Sequence, residues 1–220
     1  LILGSPTVRR RYLDILISQV NTRYLKALQK YQKVVSQRNY LLKTVREGRS
    51  PLGELEFWDD QLVAEGSYIM VQRAETVLAL SYDASLIHTE LTSQGEKLEL
   101  TFQPSINMVA GQTVDQVGQT LRNMLELQRD KEVSLGFTLC GPHRDDLRMV
   151  LGNMDVGVFA SRGQCRTVTL AMKLAEAGYL SEHRGQEPIL LLDDVLSELD
   201  IARRTLVLDR ARQYQQCFIT

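Results

Sequence analysis

The stretch PILLLDDVLSELD places two adjacent carboxylates, Asp193 and Asp194, directly after the aliphatic run Ile189 to Leu192. So apolar a run fits a strand buried on both faces, as in a parallel sheet covered by helices. Ligands of such sheets bind beyond the carboxyl ends of the strands. Successive strand side chains point in opposite directions, so the two carboxylates serve different tasks. One can hold a hard cation such as Mg2+, and the other can orient or deprotonate a water. Read alone, the motif fits equally well a strand end that turns polar where it meets solvent.

A second motif, SRGQ, stands before a helical pattern. Ser161, Gly163 and Gln164 offer a hydroxyl, an approachable backbone and an amide beside the unsatisfied N–H groups of a helix start, which attract phosphate oxygens. A Ser-Gly helix start is by itself usually only a cap. The third polar cluster, GPHRDD, joins good turn chemistry at Gly141-Pro142 to His143, Arg144, Asp145 and Asp146. These four are either a functional cluster or a self-neutralising polar loop, and the polar turn is the preferred reading.

Charge is segregated along the chain. Between Arg9 and Arg49 there are eleven Lys and Arg against only Asp14 and Glu47, within a chain of net charge -1. Arg23, Lys26, Lys30 and Lys33 are spaced 3, 4 and 3 apart, so they share a helix face. Such a stripe neutralises phosphates with little sequence selectivity. It is equally well a solvated face balanced by the acidic segment SPLGELEFWDDQLVAE that follows. The three cysteines, Cys140, Cys165 and Cys217, lie far apart, so buried free thiols are expected rather than a zinc site or disulfides. No run approaches the roughly 20 apolar residues that span a bilayer, and a cytoplasmic protein is expected.

The elements that must position these groups follow from periodicity. Leu13, Ile17, Val20, Tyr24, Leu28, Tyr31, Val35 and Leu42 recur near the helical period and predict one long amphipathic helix ending at Gly48. Ser50 and Pro51 suit the start of a second helix, which carries Leu55, Trp58, Leu62, Ile69, Val77 and Leu80 past Gly66 and packs antiparallel to the first. KLELTF alternates as a strand. Thr113 with Gln116 is a capping box for a helix to about Arg129. VSLGFTLC and LRMVL read as strands, with a Gly152-Asn153 turn, the short apolar VGVFA and the SRGQ helix after them. The fold class is therefore α/β with a helical lobe: residues 1–130 form a mainly helical lobe, and residues 131–220 form part of an α/β domain.

SRGQ, a helix, a Pro-bounded strand ending in DD and then SELD is the order of signature motif, Walker B and D-loop in an ABC-type ATPase head. The chain resembles the RecF family of bacterial recombination mediators, whose head is akin to that of SMC proteins. The resemblance rests on GSPTVRRRYLD, QRNYLLK, GPHRDDL, SRGQCRTVTLAMKLAE and PILLLDDVLSELD and covers almost the whole chain.

That resemblance implies Asp193 as the Walker B ligand of Mg2+ and Asp194 as the catalytic base. It implies Ser161, Gly163 and Gln164 as the signature that caps ATP held by a second protomer. Ser197, Glu198 and Asp200 match the D-loop at that interface. Arg162 stands where the family often has glutamine. DNA, single-stranded, gapped or linear duplex, becomes the expected partner of the basic residues, with Arg9, Arg10, Arg11, Arg23, Lys26, Lys30 and Lys33 as candidates. An ATP-dependent homodimer with slow hydrolysis is implied as well. RecR and RecO are further candidate partners, and recombinase loading and SOS induction are the expected context. No GxxxxGK(S/T) occurs, so the chain is expected to be a fragment without the Walker A region and inactive as an ATPase alone. A non-enzymatic DNA or partner-binding module, or another SMC-like branch, are the alternatives.

Overall fold

The computed structural model describes residues 2–92, 95–193 and 199–220. They divide into two compact units, one of residues 1–9, 77–101 and 147–220, the other of residues 10–76 and 102–146. The boundary between the predicted lobes at residue 130 is thus replaced by an interleaved division, because the helices Pro6–Val20 and Leu55–Thr92 and the strands Leu98–Gln103 and Asp146–Leu151 each contribute residues to both units.

The helical unit is built from most of α1 (Pro6–Val20), α2 (Thr22–Arg46), the first part of α3 (Leu55–Thr92) and α4 (Val114–Leu135). The single long helix expected from the sequence is broken at Asn21. Its side chain accepts from Tyr24 N and donates to Tyr68 Oη at 2.9 Å and Gln72 Oε1 at 2.8 Å. Asparagine is a strong N-cap whose amide satisfies the donors freed at a helix start, so a local cap overrides the continuous apolar period. Gly48, at φ 71, ends α2 in the left-handed conformation. Contacts of Asn21 with Gln72, Lys30 with Glu65 and Arg38 with Asp59 run in opposite directions along α2 and α3, so the two pack antiparallel. Gly66, a poor helix former, permits this packing: a Cβ there would lie 3.2 Å from both Leu121 Cδ2 and Tyr31 Cε2.

The Thr113–Gln116 capping box is present, but α4 continues to Leu135 and ends on Gly136 at φ 76. VSLGFTLC is therefore not a strand. Its first residues finish a helix whose buried face includes Leu121, Leu125 and Glu132.

The α/β unit contains the sheet β1 (Leu98–Gln103), β2 (Asp146–Leu151) and β3 (Met154–Asp155), in the order β1-β2-β3. Leu147, Met149 and Leu151 alternate inward along β2. VGVFA forms the single helical turn α5 (Val156–Phe159), capped by Asp155. A broad apolar face of α6 (Arg162–Arg184), including Val168, Ala171, Met172, Leu174 and Ala175, is buried. β4 (Leu190–Leu192) pairs in parallel with β5 (Cys217–Ile219), and α7 (Ile201–Ala211) lies in the crossover. Parallel strands require such a crossover.

The expectation that ILLL is buried on both faces is not met. Leu190 and Leu192 are buried, whereas Ile189, Leu191 and Phe218 are 57%, 70% and 61% exposed. The alternation of side chains leaves one apolar face of this two-stranded sheet open.

Candidate functional site

In the α/β unit, Ser161 N-caps α6. Its hydroxyl accepts from Gln164 N at 3.2 Å, while Gln164 Oε1 accepts from Ser161 N at 2.9 Å. The reciprocal pair fixes the helix entry and brings two of the predicted residues together. It leaves the N–H groups of Arg162 and Gly163 directed out of the helix start. Ser161, Arg162 and Gly163 are exposed, and a Cβ built on Gly163 meets nothing within 4 Å. Nothing inside the described chain requires glycine there. Its smallness leaves room for a group from outside.

Asp193 follows β4 at the carboxyl end of the parallel pair. The register Leu192 to Ile219 sets it opposite Thr220, whose Oγ1 donates to Asp193 Oδ1 at 2.6 Å. Thr220 had no role in the sequence reading, since a terminal threonine signals nothing until strand register is known. Asp193 is exposed, and this bond engages only one of its two carboxylate oxygens. Among the described residues no group of three or more His, Cys, Asp or Glu could hold a metal ion. Asp194, Ser197 and Glu198 lie outside the described residues. Asp200 caps α7, accepting from Arg203 N at 2.9 Å, and no hydrogen bond or ion pair among the described residues joins it or Asp193 to the α6 start.

In the helical unit, the acid at the centre of GPHRDD is neutralised from outside the motif, and only Arg144 of the six residues is exposed. Asp145 is fully buried and its charge is met by Arg73 of α3, which is 2% exposed. Arg73 donates to Pro142 O at 2.6 Å, to Asp14 Oδ1 at 2.8 Å and, more distantly, to Asp145 Oδ2 at 3.4 Å. Tyr24 Oη donates to Asp14 Oδ1 at 2.6 Å, and Ser105 N donates to Asp145 Oδ1 at 2.8 Å. Burial lifts the Asp145 carboxyl to about 6, against the opposing pull of Arg73 and the Ser105 bonds. Burial also opposes the charge on Arg73, yet Tyr24, Asp14 and Asp145 together raise its pKa.

His143 Nε2 lies 3.2 Å from Thr138 O, so this nitrogen carries the proton and Nδ1 accepts from Tyr31 Oη at 2.7 Å. Burial, opposed by the Thr138 bond and reinforced by Arg144, Arg10 and Arg38, lowers the imidazole to about 4. Gly141 is required twice over: its φ is 114, and a Cβ would fall 2.4 Å from Tyr31 Oη.

A second buried ion cluster centres on Arg38, bonded to Asp59 and Glu132 at 2.7 Å each and to Thr138 Oγ1 at 2.9 Å. The sequence carried a signal for these unforeseen residues. Arg38 falls on the buried stripe Tyr24, Ala27, Tyr31, Val34, Leu41, and Arg73 follows the apolar Ile69, Met70, Val71. A charge at a buried periodic position must find partners within the fold. Cys140 is buried, and that burial pushes its thiol up to about 12; Cys165 and Cys217 are only partly buried, and all three are free.

The basic candidates are not one free stripe. Arg9 donates to Gly4 O, Arg10 donates to Asp145 O at 2.8 Å, Arg23 stacks 4.1 Å over Tyr68, and Lys30 pairs with Glu65 at 2.7 Å. Arg11, Lys26 and Lys33 remain exposed. No described helix is long and apolar enough to cross a membrane.

An α/β unit with a parallel strand pair and a capped helix before it, together with a helical unit, is the fold class of an ABC/SMC-like ATPase head with a helical lobe. The chain belongs to the RecF family. It is 42% identical over 226 residues to the DNA replication and repair protein RecF of Roseiflexus castenholzii and 38% identical over 222 residues to that of Halothermothrix orenii. Those matches cover 100% of this chain but 57% and 59% of the relatives. Two solved structures of the recombination mediator protein RecF of the RecFOR pathway, RecF-ATPrS and RecF-ATP, match with TM-scores of 0.88 and 0.89 at 34% and 33% identity. They cover 100% and 99% of this chain and 58% of each of those chains. No protein-family model matches the chain.

Proposed function

We propose that the chain supplies the trans-acting half of a composite ATP site in an ATP-dependent DNA-binding protein of recombinational repair. The observation that carries this reading is the start of α6, where a closed capping box presents free N–H groups beside a glycine with open space above it. A phosphate of ATP held by a second protomer fits such an end through its oxygens and the helix dipole. Asp193 would hold Mg2+ in the protomer's own site, with Thr220 orienting its carboxylate, and the cation supplies charge neutralisation at the phosphates. Asp194, one methylene shorter than the glutamate usual in ABC ATPases, would orient the attacking water, giving slow turnover suited to a timed switch. Ser197, Glu198 and Asp200 would meet the partner protomer.

The solved relatives were determined with ATP or ATPrS, and the present chain spans just over half of their length. The rest of the ATPase lobe would cover the open face of Ile189, Leu191 and Phe218. Because nucleotide and partner share one site, ATP binding and dimerisation are linked and each strengthens the other. DNA, single-stranded, gapped or linear duplex, would bind the exposed basic residues of the helical unit, Arg11, Lys26 and Lys33 foremost. RecR and RecO would be further partners, with recombinase loading as the outcome and the cytoplasm as the setting.

The test is sedimentation of the protein at full family length with and without ATP. Gly163→Arg fills the open space and should abolish ATP-induced dimerisation while each monomer still binds nucleotide. An undiminished dimer would remove α6 from the site. Lys26→Glu with Lys33→Glu should weaken DNA binding and flatten its salt dependence by roughly two charges' worth.

A further inference from the structure

The helical unit carries a second cationic surface, distinct from the Arg23–Lys33 stripe and furnished with aromatic rings. On the last turns of α2, Tyr40 is 65% exposed. Lys43 and Arg46 follow at successive three-residue steps, one helical turn apart each. The segment after α4 closes against this part of the helix. A Cβ at Gly136 would lie 3.1 Å from Lys43 Cγ and 3.3 Å from Arg46 Nη1, and Thr138 N donates to Asn39 Oδ1 at 2.8 Å. Phe137 stands between these two contacts, 36% exposed, with the Arg144 guanidinium 5.1 Å from its ring centroid. That guanidinium is held in place by donating to Thr138 O at 3.2 and 3.0 Å.

Neither Lys43 nor Arg46 forms an ion pair among the described residues. The adjacent acid, Glu47 at the C-cap of α2, pairs with Arg49. The surface therefore offers three cations and two exposed rings, and among the described residues no carboxylate forms an ion pair with any of the three. Cations alone suffice for duplex phosphates, whose bases are already stacked on one another. Exposed rings beside cations match a strand whose bases are unstacked, because each base has a face that stacks on an aromatic side chain. An arginine lying on an aromatic ring adds a cation–π platform to the same end.

We propose that Tyr40, Lys43, Arg46, Phe137 and Arg144 form a binding site for single-stranded nucleic acid, in which the rings stack bases and the cations follow the backbone. The proposal rests on the DNA-binding part of the function above and names the strand form and surface involved. It explains why Asn39 and Gly136 tie the Phe137 segment to α2: the tie fixes the ring before a base arrives, so little ordering cost remains on binding.

The experiment measures fluorescence anisotropy of the full chain with a labelled oligothymidylate of roughly 20 nucleotides and with a duplex of equal length. Tyr40→Ala should weaken the oligothymidylate roughly tenfold, the expected loss of one stacked base, and leave the duplex within about twofold. Tyr40→Trp should restore the single-strand affinity. Lys43→Gln with Arg46→Gln should make the single-strand salt slope shallower by roughly 1.4. Thermal unfolding of each variant checks that the fold is intact, as expected for so exposed a ring.

Three results overturn the site: single-strand affinity unchanged in Tyr40→Ala, equal losses for both nucleic acids, or polyglutamate competing as well as oligothymidylate, which marks an acidic protein ligand. If the parental chain binds neither nucleic acid, the DNA reading of the whole helical unit falls with it. Loss in the Lys26 and Lys33 variants but not at Tyr40 removes the patch alone.

Discussion

GPHRDD and SRGQ are both short polar clusters flanked by apolar residues, yet their environments differ completely. In the helical unit Asp145 and Arg73 are buried, and Gly141 is wedged against Tyr31 Oη. In the α/β unit Ser161 and Gly163 are exposed, and the glycine has no neighbour within 4 Å of a would-be Cβ. His143 and Asp145 of the first cluster find their hydrogen-bond partners within the chain, so substitution of these two acts on stability. The second satisfies its own cap and offers the remainder outward, so substitution there acts on what binds. A glycine alone does not distinguish the two cases; the space around it does.

The largest effect is expected where a buried charge loses its partner. Arg73→Met strips Asp14 and Asp145 of their cation inside the helical unit and should cost about 3–5 kcal/mol, read as the fall in unfolding free energy in urea. A loss below about 1 kcal/mol would mean that water reaches this network. Gly141→Ala should cost about 2–3 kcal/mol through its positive φ and the overlap with Tyr31 Oη. Removing that hydroxyl relieves only the overlap, which leaves the φ strain in place. Gly141→Ala combined with Tyr31→Phe should therefore be less destabilised than the sum of the single changes, by about 1 kcal/mol in a double-mutant cycle.

Much of this contrast was legible in the residues. The Thr113 capping box, the Gly152-Asn153 turn, the antiparallel pairing of α2 with α3 and the start of α6 follow from local rules. The break at Asn21 was hidden because the apolar period runs through it and only the side-chain cap reveals it. VSLGFTLC is rich in β-favouring residue types, and these mask the end of α4 at Leu135 and its stop at Gly136. The buried role of Asp145 depends on Arg73, 72 positions away, and no short-range pattern links them. Thr220 beside Asp193 required the β4–β5 register. The residues that sequence placed best were those whose partners lie within four positions.

Acidity separates two members of the buried network from one another. His143, lowered from 6.5 to about 4 chiefly by burial, gives stability that is complete above pH 6.5 and is lost as pH falls toward 4. Asp145, raised from 3.8 to about 6 by burial, behaves oppositely: its contribution is complete below pH 3.8 and is lost as pH rises through 6. In the parental chain the two oppose each other between about pH 4 and 6. Asp145→Asn should expose the histidine, with stability falling by about 1–2 kcal/mol from pH 6.5 to 4 after allowance for solvent at the half-buried ring. His143→Gln should show the reverse slope. Parallel slopes in the two variants would mean that neither group governs the acid limb.

The smallest effect on stability is expected at Gly163, and that is what makes it informative. Its φ lies outside the left-handed region, no atom would meet an added Cβ, and the position is the second residue of α6. Alanine is a better helix former than glycine by up to about 1 kcal/mol, so Gly163→Ala should leave unfolding unchanged or raise the midpoint slightly. Ser161→Ala, by contrast, removes the cap and should cost about 1 kcal/mol. If Gly163 is kept small for a phosphate or a second protomer, the alanine variant weakens ATP-driven association at full family length although its fold is as stable as the parent. If it merely permits the turn into α6, association is untouched, and Gly163 belongs with Gly141 among the glycines that serve the fold.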